Sequence, residues 1–421
     1  MLLFPFCLLL LLVFINRYVA GLLLKQAKGD AFDVAIPGYE PTVTVVIPLY
    51  NEGESIYSTI LSLLEQDYPA DKLDVTVVDD CSTDDSHAWA CRAAARSPGR
   101  VKVLRNPENM GKRRGINHAV RHATSELIVS VDSDVVVDRD AVRKLTARFT
   151  RPQIAGVGGR VNVSNANENW LTRMQAIKYY FGYEYLKNLE RAFASVMCLS
   201  GCLTAYRRHV LVELEPILEG RNVLGVPIKY GEDRYLTRQI VKAGYETTLT
   251  LDAVCWTKAP STLTNYFSQQ LRWRRSNIID VLGSLTHVWK LHPVVALHYL
   301  SLFAMLMAYP VVVIESLLSG VFWDLAMFHL GVLAVFGVVY WFGTRSYPAA
   351  ARVDPFWFLP MAALMPITYL LYTPLALLTL DSSSWETRGG AVTPPGAEAR
   401  EEVESDESEE VESDLDLQVA D

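Results

Sequence analysis

The chain has 421 residues, half of them hydrophobic and a fifth charged, with a formal net charge of −8. So apolar a composition argues against a disordered protein and against a nucleic-acid-binding domain. The charge is unevenly spread: residues 398–421 carry 12 acidic side chains against one arginine, a net of −11, so the rest of the chain is faintly basic at +3.

Residues 2–24 are nearly all apolar and long enough to cross a bilayer. A secretory signal peptide carries its positive charge before the apolar run. Here Arg17, Lys25 and Lys28 fall late in the run or after it. The expectation is an uncleaved transmembrane helix over 1–24, a linker over 25–40, the N-terminus outside and the next domain in the cytosol. The six cysteines, at 7, 81, 91, 198, 202 and 255, form no CxxC pair and no disulfide framework. They read as reduced thiols of a cytosol-facing protein. His118 and His122 stand at i and i+4, but Ala119 follows where a zinc protease carries Glu, so both read as ordinary helix residues.

Residues 41–265 read as an α/β domain. Thr42–Pro48, Leu73–Val78, Val101–Leu104 and Leu127–Val131 are apolar, β-branched runs suited to buried parallel strands. A helical segment with Ile56, Ile60, Leu61, Leu63 and Leu64 follows the first. Alternation of this kind predicts a doubly wound sheet, whose ligands bind at the carboxyl ends of the strands. Acidic residues recur at those ends: Asn51-Glu52, Asp79-Asp80 and Asp132-Ser133-Asp134. A strand-end aspartate often only caps the next helix, which is the reading given to Asp84-Asp85. The repetition of the other pairs points instead to a site. No G-x-G-x-x-G or Walker A motif is present, so dehydrogenase and P-loop readings have no support. The D-x-D at 132–134 can share one divalent ion, which neutralises a diphosphate leaving group.

Gly231-Glu232-Asp233-Arg234 is an acidic pair in a polar turn that heads the periodic segment Leu236–Ala243. One of its carboxylates suits a general base toward a sugar hydroxyl, although acids are favoured at any helix N-terminus. Gln269-Gln270-Leu271-Arg272-Trp273 sets a guanidinium for a diphosphate beside an indole for a sugar face. The same residues suit amphipathic interfacial helices over 266–292. Two further apolar stretches form a membrane hairpin over 293–343. A third, 355–380, holds four prolines and fits a regular lipid-facing span poorly. Residues 389–421 read as a disordered acidic tail.

Taken in order, these elements resemble the membrane-embedded, processive family-2 glycosyltransferases, a group that includes cellulose, chitin and hyaluronan synthases. Within it the chain is most similar to hyaluronan synthases and rhizobial chitooligosaccharide synthases. The supporting residues are 109–113 (NMGKR), 131–134 (VDSD), 199–207 (LSGCLTAYR), 231–237 (GEDRYLT), 269–273 (QQLRW) and 385–388 (WETR). The resemblance implies a GT-A type mixed sheet with α-helical transmembrane and interfacial segments. It implies that Asp80 contacts uridine and that Lys112 lies near the nucleotide. Asp132 and Asp134 would then hold Mg²⁺ or Mn²⁺, Asp134 more directly. Asp233 is the general base with Glu232 before it, and Gln269, Arg272 and Trp273 hold the diphosphate and line the acceptor site. Trp385 and Arg388 belong to a gate-like motif at the cytosolic face. If that motif faces the cytosol, a third full span would strand Trp385 outside, so 355–380 is expected to be interfacial or re-entrant.

Three departures from the family pattern stand out: Cys81 for Gly in D-D-G-S, Cys202 for Pro in C-S-G-P, and Glu386 for Gly in W-G-T-R. A glycine at position 81 with positive φ would leave Cys81 strained. The expected activity is an inverting, processive transfer from UDP-sugars, UDP-GlcNAc and a second donor UDP-GlcA, extruding a β-linked polysaccharide through the cell membrane. The alternatives are a chitin or chitooligosaccharide synthase using UDP-GlcNAc alone, and a non-processive transferase acting on a lipid carrier. Tyr309, Glu315 and Trp323 are candidates to line a sugar path, with an interface belt the competing reading for the two aromatics. Expected partners are the donors, the growing polymer and the bilayer, with no nucleic acid. Monomer and homo-oligomer both stay open.

Overall fold

The computed structural model describes residues 34–380, apart from 224, 229, 346 and 348–351, together with positions 5, 6, 8, 9 and 23. Beyond those five positions, the expected anchor over 1–24 lies outside the described residues. So do Trp385, Arg388 and the acidic tail.

Strand β1 (Val43–Leu49) is buried at all seven positions, as a β-branched run between two helical layers must be. Helix α1 (Ser55–Leu64) follows and turns Ile56, Ile60 and Leu63 into the core. Then come β2 (Leu73–Asp79), α2 (Ser86–Ala94), β3 (Val101–Arg105), α3 (Lys112–His122) and β4 (Leu127–Ser130). The capping reading of Asp84-Asp85 is only half met: the N-cap is Asp85, whose side chain caps nothing and accepts instead from Trp89 Nε1, while Asp84, one residue earlier, accepts the Ser86 N–H at 3.0 Å. His118 and His122 lie on α3 as helix residues.

The second half adds β5 (Val135–Val137), α4 (Ala141–Thr146), β6 (Ile154–Val163), α5 (Trp170–Phe181), β7 (Thr204–Arg207), α6 (Arg208–Glu219), α7 (Glu232–Lys242) and β8 (Glu246–Thr257). The eight strands form one sheet in the order β3-β2-β1-β4-β7-β6-β8-β5. β1 runs parallel to both β2 and β4, with Leu49 opposite Asp79 and Val46 opposite Ser130. β7 is antiparallel to β4 and β6. This is the mixed sheet expected from the sequence, and its register brings the carboxyl ends of β1, β2 and β4 together on one edge.

Helix α8 (Leu263–Ser284) leaves the sheet with Thr262 as its N-cap. α9 (Pro293–Leu318) and α10 (Phe322–Gly343) follow as an apolar pair joined through Gly320. A last helical run, α11 (Pro355–Leu378), is also long and apolar enough to cross a membrane by length and composition. Its prolines divide it into a 3-10 turn at Pro355–Phe358, a helix at Met361–Ile367, a π-helical turn at Thr368–Tyr372 and a helix at Thr373–Leu378. Both ends of α11 touch the α/β domain. At the start, the Phe358 ring centroid is 5.7 Å from that of Phe181, and Arg173 lies 5.2 Å over Trp357. At the end, Thr379 accepts from Arg275 Nε at 3.0 Å, and the Leu380 carbonyl accepts from the Tyr230 hydroxyl at 2.8 Å.

The three aromatic and acidic residues flagged in the hairpin part company. Tyr309 is fully buried, with its hydroxyl 3.0 Å from His329 Nε2 and its ring against Phe6 and Tyr369. Trp323 is 76% exposed in the first turn of α10. Glu315 is partly buried near the end of α9.

Candidate active site

Asp79 closes β2 and Asp80 follows it, both carboxylates buried. Asp79 accepts the Ser82 N–H at 2.9 Å and pairs with Arg105 Nε at 3.2 Å. Asp80 accepts from Asn106 Nδ2 at 2.8 Å, Met110 N at 2.8 Å and Gly111 N at 2.7 Å. It therefore braces the turn that launches α3 and sets Lys112 as that helix's first residue. Next to it, Cys81 has φ +63°, the left-handed region that favours glycine. The departure noted in the sequence is thus a strained one.

Lys112 reaches across the strand ends. Its Nζ lies 2.6 Å from Asp132 Oδ1 and 2.9 Å from Glu232 Oε1. Burial works against its charge, but the two carboxylates hold its pKa well above the usual lysine range. Burial likewise works against ionised Glu232, yet Lys112 keeps that carboxyl below its usual range. Asp233 goes the other way: burial, and then the neighbouring Glu232 charge, push it up. Two adjacent carboxyls with separated affinities for a proton suit a base beside a spectator anion.

The acidic pair does not sit in a turn, as the sequence reading had it. Glu232 and Asp233 are the first two residues of α7, capped by Gly231 at φ +66°. A Cβ on Gly231 would strike Ser276 Oγ of α8, so α7 and α8 meet where only glycine fits. Arg221 Nη1 ties the approach by donating to the carbonyls of Tyr230, at 2.7 Å, and Gly231, at 3.0 Å.

These residues open onto a cleft of about 290 Å³. Lys112, Asp132, Glu232, Asp233, Arg272 and Trp273 all line it. Arg272 Nε is buried there without a hydrogen-bond partner. The Arg272 side chain as a whole lines the polar cleft, and a guanidinium there suits an anion that arrives with the substrate. Among the described residues, Asp80, Asp134 and Gln269 do not line this cleft. Asp134 sits just behind, buried, with Thr257 Oγ1 at 3.5 Å from its Oδ2. Gln269 is buried beside Gln270 on α8.

No group of three or more His, Cys, Asp or Glu side chains among the described residues can enclose a metal. Asp132 and Asp134, just after β4, supply hard oxygen donors, and the Glu232 carboxylate meets Asp132 through Lys112. That donor set fits a divalent ion whose remaining ligands are water and substrate phosphate. Cys202 Sγ stands 3.4 Å from Asp132 Oδ2, occupying the place of a proline in the family pattern.

Lys178, Lys187 and Ser276 line the cleft too and are among the contributors the sequence reading missed, because none lies in a motif; Arg234, also in the lining, stands within the G-E-D-R run already singled out.

Sheet order and strand-end carboxylates together define a GT-A type glycosyltransferase fold. A family-wide sequence profile described as "Glycosyltransferase like family 2" matches residues 41–276. The chain is 32% identical over 362 residues to an N-acetylglucosaminyltransferase of Rhizobium meliloti (strain 1021), covering 84% of this chain and 83% of that one. It is 33% identical over 364 residues to an N-acetylglucosaminyltransferase of Rhizobium leguminosarum bv. viciae, with the same two coverages. This chain belongs to the family-2 glycosyltransferases. Among solved structures, a mannosyltransferase from Pyrobaculum calidifontis, in complex with GDP-Man and Mn²⁺, shares the fold at a TM-score of 0.61 and 23% identity. The match covers 89% of this chain and 98% of that one.

Proposed function

We propose that the protein is a membrane-embedded, inverting glycosyltransferase that uses UDP-GlcNAc and builds its product processively. The observation that carries this reading is the convergence of Asp233, the Lys112–Asp132–Glu232 bridge, Arg272 and Trp273 on one cleft. The donor is proposed from the names of the rhizobial relatives.

In this reading the acceptor sugar lies on the Trp273 indole, and its hydroxyl gives a proton to Asp233 as it attacks the anomeric carbon. The C–O bond to UDP breaks on the opposite face, so the configuration inverts and a β-linkage forms. Arg272 takes up charge on the departing diphosphate, and Gln269 supports that helix from within. Mg²⁺ or Mn²⁺, held by Asp132 and Asp134, would supply further charge neutralisation for the diphosphate. Asp80 and Lys112 shape the nucleotide end, with Asp80 toward the uridine. Trp385 and Arg388 are proposed to close over it.

We keep α11 as an interfacial or re-entrant segment. Its contacts with the α/β domain at both ends support that reading, since a straight crossing would carry one end away. The spans are then the N-terminal helix, α9 and α10, with the catalytic domain cytosolic.

The test is UDP release by the purified full chain in nanodiscs, with UDP-GlcNAc and either metal. Asp233→Asn should lower turnover by about 10²–10⁴-fold while UDP still binds. Turnover that survives the substitution would remove Asp233 from the reaction. Polymer made from UDP-GlcNAc alone and destroyed by chitinase would identify a chitooligosaccharide-type synthase. A single sugar on a lipid carrier would exclude processivity. A second donor, UDP-GlcA, belongs to the hyaluronan-type reading, and polymer that requires both donors would identify it.

A further inference from the structure

One wall of the cleft is a helix that changes its winding. α5 ends at Phe181, a π-helical segment follows over Gly182–Lys187, and a short α-helix over Asn188–Arg191 completes the run. Lys178, Tyr179, Gly182, Tyr183 and Lys187 of this run all line the cleft. In an unbroken α-helix the step from Lys178 to Lys187 makes about two and a half turns, which sets the two lysines on opposite faces. A π-helix closes i→i+5 bonds and so takes up an extra residue per turn, and such turns are frequent at functional sites. The wider winding is what swings Lys187 round to the cleft.

Both ends of the run are pinned. Tyr180 and Phe181 pack against α10, their ring centroids 4.9 Å from Tyr340 and 4.8 Å from Phe336. Beyond the π segment, Glu190 accepts from the Met197 N–H at 3.2 Å and from the Tyr299 hydroxyl of α9 at 3.4 Å. The extra residue must be absorbed between these anchors, and Glu184 fixes where. Its Oε1 lies 2.7 Å from Arg160 Nη1 of β6, and the two side chains are only 14% and 13% exposed. Arg160 is held in turn, with Nε donating to Asn162 Oδ1 at 3.0 Å and Nη1 to the Tyr347 hydroxyl at 2.9 Å. π turns are rare because the backbone does not favour them, so a shielded tie of this kind decides whether one persists.

Lys187 lies over the Tyr183 ring, with Nζ 4.2 Å from its centroid. A ring face orients an ammonium without neutralising its charge. Lys112, by contrast, already bridges Asp132 and Glu232. A nucleoside diphosphate entering a cleft lined by Asp132, Glu232 and Asp233 needs cations beyond Arg272 to offset its charge. We infer that the π segment delivers Lys187 to the diphosphate of the donor, and that Glu184 is a positioning residue that acts through Lys187. This rests on the glycosyltransferase reading above and deepens it.

The test is UDP affinity, measured by calorimetry on the full chain in nanodiscs with Mn²⁺ at fixed ionic strength, with thermal unfolding followed in parallel. Lys187→Met should weaken UDP about tenfold, the loss of one charge-assisted contact, while Lys187→Arg retains most of the affinity. Glu184→Gln should weaken UDP about fivefold although the lysine is still present. The double variant should match Lys187→Met to within about twofold, because Glu184 then has nothing left to position. If Glu184→Gln does not fold, Arg160→Gln/Glu184→Gln takes its place, since it leaves no lone charge behind. UDP affinity unchanged by Lys187→Met would overturn the inference. So would losses that multiply in the double variant, which would make Glu184 independent of the lysine. A wild type that binds no UDP would sink the donor reading and the inference with it, whereas UDP binding that ignores both substitutions would sink the inference alone.

Discussion

Asp280 offers the sharpest test of how the two catalytic helices are held together. It lies on α8, two turns beyond Arg272, and is only 3% exposed. Its Oδ1 is 3.2 Å from Arg238 Nε on α7, the helix that begins with Glu232 and Asp233. The Arg238 guanidinium packs over Gly283, where a Cβ would collide with it. At an effective dielectric of about 20, charges this close attract by about 5 kcal/mol before desolvation is subtracted. Removing one partner of such a buried pair typically costs about 3–5 kcal/mol, because the other is left charged and alone. Asp280→Asn should therefore lose a large part of a domain stability of about 5–15 kcal/mol. The assay is denaturant unfolding of the full chain, run as a double-mutant cycle with Arg238→Met. The double variant should recover about 1–3 kcal/mol relative to the sum of the singles. Additivity to within about 0.5 kcal/mol would show that the pair does not join the helices, and the reasoning would fail.

Gly231→Ala combines a positive φ with a clash on Ser276, so it should cost about 1–2 kcal/mol in backbone strain alone and displace Asp233. A fall in kcat larger than the rise in KM is the expected signature. Glu232→Gln removes the anion that raises Asp233. Asp233 must be deprotonated to act, so the acid limb of the kcat/KM profile should move to lower pH; a limb that stays put or rises would contradict this. Cys81→Gly relieves a left-handed residue and should raise thermal stability by up to about 1 kcal/mol, net of the flexibility glycine adds when unfolded.

Much of this was legible in the sequence, and for clear reasons. β1 to β4 are short β-branched runs closed by polar residues, and each lies within about a residue of where the pattern puts it. Lys112, Asp132, Glu232, Asp233, Arg272 and Trp273 were found because their motifs recur in order. β6 was missed because Gly156, Gly158 and Gly159 blunt its strand signal. Those glycines exist for packing: a Cβ at Gly159 would meet the Leu203 side chain and, at 2.8 Å, the Ala253 carbonyl. Asp280 and Lys178 were invisible because each meets its partner on another helix, Arg238 and Gln270, and sequence spacing says nothing about which helices will face each other. The α11 prolines flagged an irregular segment, but its contacts with Phe181 and Tyr230 are facts of tertiary packing.

α8 runs unbroken from Leu263 to Ser284. Near its start and middle it presents Trp273 and Arg272 to the cleft. Further along, Ile278 packs with Leu306 of α9 and Ala376 of α11, and Arg274 lies 4.0 Å over Tyr369. One stiff rod thus has its working end in water and its fulcrum among the apolar helices. A change in the tilt of α9 or α11 would be carried along α8 to Arg272. In mechanical terms α8 is a lever: whatever shifts the apolar helices at one end also shifts Arg272 and Trp273 at the other.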